Sequence, residues 1–228
     1  MALVGSKLRY LLVIYAAFSA IQYGLRYKSY DVSPKQFKTV AGKAAASPTS
    51  KQALSTLLVG MRSHYEPILP RSVEWHAIQL GSLSIRIFPI YTAFTEYAAA
   101  FSAPFATSGR AGLHWANSTC TVLSGQVGRI SDDTQGDAKE TFTQGNNFRH
   151  GQFESYVYQL EKDTLVACYG RGFLPLSSTA HITAGISAGE PLSVVRFYLA
   201  QAGNYYTQIA QSVQRVFQHY KARASGEL

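Results

Sequence analysis

The sequence predicts a mainly β domain with flanking α-helices, and three observations point there. Short strand-like runs separated by turn signals fill the middle of the chain from Val73 to Cys168, the spacing of a barrel or sandwich. An uncharged run, Tyr10 to Leu25, precedes them and reads as a helix. A helical region with an apolar stripe, Gly189 to Arg223, follows them. With 228 residues the chain can build one domain with a sizeable core plus an appendage. The boundaries expected are residues 1–29 for an N-terminal membrane helix, 30–70 for a linker and helices, 71–188 for the β domain and 189–223 for amphipathic helices.

Only 15% of the residues are charged, against about 25% in an ordinary soluble domain. The chain also has 15 Tyr and 12 Phe. Few charges and many tyrosines suit a protein lying partly against a membrane, because Tyr favours the wet–apolar boundary. The net charge is +8, and much of it sits early: Lys7, Arg9, Arg26, Lys28, Lys35, Lys38 and Lys43 face only Asp31 among the first fifty residues. These bases flank an apolar run, so anionic lipid is a better partner than nucleic acid. No zinc-finger spacing, RNP aromatic motif or basic helix is present, and no nucleic-acid partner is expected.

Tyr10 to Leu25 is sixteen residues without a charge, roughly 24 Å at about 1.5 Å per residue, short of the usual span of about 20 residues. A transmembrane helix with snorkelling Lys and Arg is the favoured reading. A helix lying on the surface and a signal peptide are the alternatives. Bases on both sides leave its orientation open.

Tyr30 to Ser50 reads as a polar linker holding a short helix over Lys35 to Ala46. Ser47-Pro48-Thr49-Ser50 offers a break and an N-cap. In the next helix Leu54, Leu57, Leu58 and Met61 fall at core spacing, and Pro67 and Pro70 close it. From Val73 the pattern turns to strands, with helix–strand ambiguity over Glu96 to Phe101. Ser131 to Gln144 is polar, carries Asp132, Asp133, Asp137 and Glu140, and reads as a hairpin loop. Two strands are expected around Glu161-Lys162-Asp163. Tyr206, Ile209, Val213, Val216, Phe217 and Tyr220 form the C-terminal stripe, fit to dock on the β domain, on a membrane or on a partner helix. Gly203-Asn204 predicts a break into two helices, and the terminal Ser-Gly-Glu-Leu is not a retention signal.

Several motifs tempt and fail. Gly185-Ile-Ser187-Ala-Gly189 matches a nucleophile elbow, but no Asp follows it. Asn117-Ser118-Thr119 is a glycosylation sequon inside an expected strand. Cys120 and Cys168, the chain's two cysteines, could join His114, His150 or His181 on a metal, yet no clustered ligand spacing supports it. No metal and no cofactor are expected. Two buried free thiols are the default, with a disulfide available in an oxidising compartment.

A wider pattern then appears. Leu69-Pro70 with Trp75, Thr95-Glu96-Tyr97 with Phe101, and Gly109, Gly112 and Trp115 recur in order. Ser124-Gly125, Gly145, His150-Gly151, Tyr169-Gly170-Arg171-Gly172 and Pro175 complete it. In order and spacing these residues resemble the family of the sigma-1 receptor and the fungal sterol isomerase, over roughly residues 50 to 220. The resemblance implies a cupin-like β-barrel around a ligand cavity, an N-terminal transmembrane helix and a C-terminal helix pair covering the barrel mouth. It also implies a homotrimer, or other membrane-complex subunits as partners. Membrane lipid or sterol would be the ligand. The endoplasmic reticulum is the implied location, while the basic, acid-poor N-terminus would also suit the mitochondrial inner membrane.

The family's site uses two acids, an Asp five residues after the matched Trp and a Glu just before Tyr-Gly-Arg-Gly. Cys120 and Cys168 stand at those positions. A carboxyl pair can protonate a ring double bond and stabilise the resulting cation. A thiol near its reference pKa of about 8.5 offers little of either. The expectation is a protein with no catalytic residues, binding lipid or sterol or serving as an accessory subunit. The lining positions that carry over are Tyr97, Phe101, Trp115, Cys120, Cys168, Leu174 and Ser178. Glu96 remains as a residual acid, and the alternative is an active isomerase that uses it.

Overall fold

In the computed structural model, residues 2–70, 72–131 and 139–224 are described. Asp132, Asp133 and Asp137 of the expected hairpin loop and the terminal Ser-Gly-Glu-Leu lie outside them. The chain divides into two units, one ending at Asp31 and one beginning at Val32.

The first unit is one helix, α1 (Ala2–Tyr27). Its stretch Lys7–Tyr27 is long and apolar enough to cross a membrane. Twenty-one residues span about 32 Å, so the helix is longer than the uncharged run alone predicts. Lys7, Arg9 and Arg26 are good helix formers and extend it at both ends. Its Leu11, Leu12, Val13 and Ile14 are all exposed.

The second unit starts with α2 (Pro34–Ala45) and α3 (Ser50–Tyr65). Pro34 opens α2, where its missing N–H costs nothing. Thr49 caps α3 by accepting from the Gln52 amide, as its residue type predicts. Gly60 of α3 faces Val40 of α2 so closely that a Cβ there would collide with its side chain. Phe37, Ala41 and Ala44 of α2 join Leu57 and Met61 of α3 in a core against one face of a sheet.

Ten strands follow: β1 (His76–Leu80), β2 (Leu83–Thr92), β3 (Glu96–Ala103), β4 (Thr107–Arg110) and β5 (Ala116–Ser124), then β6 (Gln126–Ser131), β7 (Glu140–Thr143), β8 (Asn147–His150), β9 (Tyr156–Leu160) and β10 (Thr164–Gly172). The ambiguous Glu96–Phe101 segment is therefore strand. Six strands form one antiparallel sheet in the order β1-β2-β3-β10-β5-β8, and four form a second in the order β4-β9-β6-β7. The sheets face each other as an open barrel rather than a closed one. β9 and β10 do not pair across Glu161-Lys162-Asp163, since β9 joins β4 and β6 while β10 lies between β3 and β5. Asp163, at φ +60, turns the chain from one sheet to the other.

Period-two alternation gives the large sheet two dressed faces. Ala98 and Ala100 of β3, Ala167 and Tyr169 of β10, and Leu123 of β5 pack under α2 and α3. Phe101, Val166, Cys168, Cys120 and Val122 point into the space between the sheets.

Two helices close the fold, α4 (Leu174–Ser187) and α5 (Pro191–Ala224). The break falls at Ala188–Glu190, where Gly189 takes φ +74, and not at Gly203-Asn204. A glycine inside a helix costs about 1 kcal/mol, too little to interrupt thirty-odd helical residues. Ser187 ends a helix, so the Gly185–Gly189 motif lacks the strand–turn–helix frame of a nucleophile elbow. Tyr206, Ile209, Val213 and Phe217 of α5 are exposed and do not dock on the β domain; the side chains of Val216 and Tyr220 lie outside the described ones.

Candidate functional site: a two-chamber cavity lined by a disulfide

Cys120 and Cys168 sit directly opposite each other on β5 and β10. Both side chains point to the inter-sheet face, and they are joined by a disulfide. This overturns the default of two free thiols, because opposed positions on paired strands bring Cβ atoms within bridging range. It also removes both thiolates from any metal site. Among the described residues no three His, Cys, Asp or Glu side chains gather as metal ligands.

The disulfide lines a chamber of about 110 Å³ between the sheets. Leu83, Ile85, Val127, Phe148 and Val166 supply apolar wall; Tyr97, His114, Ser118, His150 and Tyr158 supply polar atoms. A second chamber of about 150 Å³ shares Tyr97, Phe101, His114 and Ser118 with the first and extends to Leu174, Ser177, Ser178 and His181 of α4 and Phe197 of α5. Among the described residues no Asp or Glu lines either chamber.

The polar atoms are ordered by local bonds. Tyr97 Oη and Ser118 Oγ are 2.8 Å apart. Gly170 on the neighbouring strand makes room for both, since a Cβ there would run into the Tyr97 ring and Ser118 Oγ. His114 Nε2 bonds the Ala111 carbonyl at 2.9 Å, and His181 Nδ1 bonds the Gln79 carbonyl at 2.9 Å. The His114 and His150 rings meet edge to face at 5.6 Å. His150 Nδ1 lies 2.9 Å from Tyr158 Oη.

Burial sets the electrostatics. It pushes the His150 pKa down to about 4, helped by His114 nearby, and lowers that of His114. Burial raises the Tyr97 and Tyr158 phenols. At neutral pH the chamber therefore holds neutral imidazoles and neutral phenols.

Six of the seven expected lining residues reach the cavity. Tyr97 and Phe101 line both chambers, Cys120 and Cys168 the first, Leu174 and Ser178 the second. Trp115 lines neither: it is buried against Phe153 and Phe173, at ring distances of 5.7 and 5.4 Å. Trp115 precedes β5, so the strand alternation that aims Ser118 and Cys120 inward does not govern it.

Glu96 also stays out. It is fully buried, but next to Tyr97 on the strand its side chain takes the opposite face. Its Oε2 lies 2.9 Å from Tyr169 Oη and accepts from the Val32 amide at 3.3 Å. Arg171 donates to Tyr169 Oη at 2.6 Å and to the Val32 carbonyl at 2.9 Å. The carboxylate ties the start of the second unit to the sheet and does not face a ligand.

The sequence offers His114 and His150 only as metal candidates, and Tyr158 and Ser118 are not among the lining positions expected from it. Period-two alternation inward from Cys120 would have found Ser118.

Residues 8–188 match the family model described as "ERG2 and Sigma1 receptor like protein". The chain is 27% identical to the sigma non-opioid intracellular receptor 1 of Danio rerio over 68% of its own length and 69% of the relative's. It is 27% identical to that of Gallus gallus over 82% and 85%. An RmlC-like cupin from Shewanella frigidimarina superposes with a TM-score of 0.37 at 11% identity, over 44% of this chain and 85% of that one. The chain belongs to the ERG2 and sigma-1 receptor-like family.

Proposed function

We propose that this protein is a membrane-anchored, non-catalytic member of its family that holds a lipid or sterol in the two-chamber cavity. One observation carries the reading: the two wall positions matching the family's acids are Cys120 and Cys168, and they are bonded to each other. A disulfide has no proton to deliver and no charge to set against a carbocation. The other polar groups of the chambers do not replace it. His150 is neutral near pH 7 and the tyrosines are held above their usual range, so none is a competent acid toward an alkene. Glu96 faces the helix layer, which weakens the alternative of an isomerase built on it.

The helix Lys7–Tyr27 supports the anchor. The exposed stripe Tyr206, Ile209, Val213 and Phe217 favours a second role as an accessory subunit, since a partner or a bilayer would cover it. The cross-link further requires that the β domain fold in an oxidising compartment, which for an endoplasmic reticulum protein is the lumen.

The test is to purify the whole chain in mild detergent, present a sterol with a movable ring double bond, and identify co-purifying lipid by mass spectrometry. No isomerisation, with a lipid retained, is the expected result. Isomerisation that Glu96→Gln abolishes would overturn the reading in favour of the enzyme. Migration in a large particle with other membrane proteins would favour the accessory role.

A further inference from the structure

Helix α4 supplies one wall of the second chamber, and its His181 is only 6% exposed. His181 Nδ1 lies 2.9 Å from the Gln79 carbonyl of β1. A carbonyl oxygen can only accept, so the proton of this bond sits on Nδ1. The neutral ring then carries a bare lone pair on Nε2. That nitrogen is buried and has no hydrogen-bond partner among the described residues. Gln79 does not line the second chamber, whereas Phe197 and Tyr198, whose rings meet His181 at 5.2 and 5.8 Å, both do. The bonded edge of the ring is thus turned to the strand and the unbonded edge to the chamber. The hydroxyls beside it have their protons engaged. Ser178 Oγ donates to the Leu174 carbonyl at 2.8 Å, Ser177 Oγ to that of Phe173 at 3.4 Å and Tyr198 Oη to that of Ser178 at 3.4 Å. What remains at this wall is an acceptor without a donor, which costs free energy until a donor arrives.

We propose that His181 Nε2 is the hydrogen-bond acceptor that sets the specificity of the second chamber, and that it selects an apolar ligand carrying a hydroxyl group. This rests on the reading of the cavity as a lipid- or sterol-binding site and adds the polar end its occupant must have. A ketone or an ether brings only lone pairs, and against Nε2 it leaves two acceptors facing each other. A hydroxyl brings the missing proton. Ile78, Leu80, Ile87 and Phe101 supply apolar wall for the hydrocarbon part. His114, which lines both chambers, extends the same character. Its Nε2 proton goes to the Ala111 carbonyl at 2.9 Å, which leaves the lone pair of the neutral ring on Nδ1.

The experiment titrates the whole detergent-solubilised chain with four probes of one two-ring aliphatic skeleton: the hydrocarbon, the alcohol, its methyl ether and the ketone. Histidine-labelled protein is followed by nitrogen NMR at about pH 8, above the usual histidine range. In the free protein His181 should show a protonated Nδ1 and an unprotonated Nε2. The alcohol should bind about tenfold tighter than the ether and the ketone, as one hydrogen bond allows, and should shift the Nε2 resonance. His181→Phe should erase that preference and keep hydrocarbon binding. His181→Gln, whose amide can donate to the Gln79 carbonyl and whose own carbonyl can accept from the ligand, should restore part of it, and it guards against misfolding of the first variant. A proton on Nε2 in the free protein, equal binding of alcohol, ether and ketone, or a preference unchanged in His181→Phe would overturn the assignment while leaving the cavity a binding site. Binding of none of the four probes would overturn the assignment together with the functional reading beneath it.

Discussion

The two faces of the six-stranded sheet are built from alternate residues of the same strands and do opposite work. On the helix face, Glu96 is enclosed by Tyr169, the Val32 amide and Tyr91. Around it Leu57, Met61, Ala98 and Ala100 are buried without exposed surface. On the cavity face, one residue along, Tyr97 meets Ser118 beside open chambers, and His150 Nε2 and His181 Nε2 lack partners. A satisfied buried polar network fixes structure; polar atoms without a protein partner beside a cavity can meet water or a ligand. The comparison explains why a fully buried acid, Glu96, sits beside a cavity without lining it. Glu96 serves the face that folding needs, while the Cys120–Cys168 disulfide stands on the face that lines the cavity.

The largest expected effect comes from replacing Cys120 and Cys168 together by Ala. Their sequence separation is 48, and closing a loop of that length stabilises by about 4 kcal/mol in the chain-entropy model. Thermal unfolding should fall by roughly 10 °C for a domain of this size, with the cavity face still folded.

Glu96→Ala tests the other face. It leaves the Val32 amide without its carboxylate acceptor, while the Tyr169 phenol keeps the Val32 carbonyl at 2.8 Å, at a cost of about 2 kcal/mol. Chemical denaturation should show that loss, and probe binding by the folded fraction should be unchanged. If Glu96→Ala instead abolished ligand binding at full stability, the division of labour between the faces would be wrong.

The smallest effect is on acid stability. His150, and with it His114, has a pKa lowered on folding, so the unfolded chain binds more protons as pH falls. Stability is full above the unfolded histidine value of about 6.5 and declines from there to about pH 4, by up to about 3 kcal/mol for His150. Denaturant midpoints measured across that window should fall with pH, and His150→Phe should flatten the slope. An unchanged slope would mean that the ring is solvated in the folded protein.

Much of this was legible in the chain. Thr49 announced the start of α3, whereas the opposite faces of Glu96 and Tyr97 were not legible while Glu96 to Phe101 read equally as helix or strand. The partnership of Cys120 with Cys168 was not legible, because four strands intervene between β5 and β10 and pairing at that distance has no local signal. The binding atoms were hidden for the same reason. Tyr97 comes from β3, Ser118 from β5, His150 from β8 and Tyr158 from β9, and only the assembled sheets gather them. Helix α4, within the stretch assigned to the β domain, escaped because its Ser- and Thr-rich sequence carries little amphipathic signal.

The central claim is that Cys120 and Cys168 are covalently bridged on the cavity wall. Its most direct test is the intact mass of the protein, denatured and alkylated without reductant. The account predicts no alkyl adduct before reduction and two after it. Two adducts without reduction would contradict it, leaving two free thiols on the cavity wall.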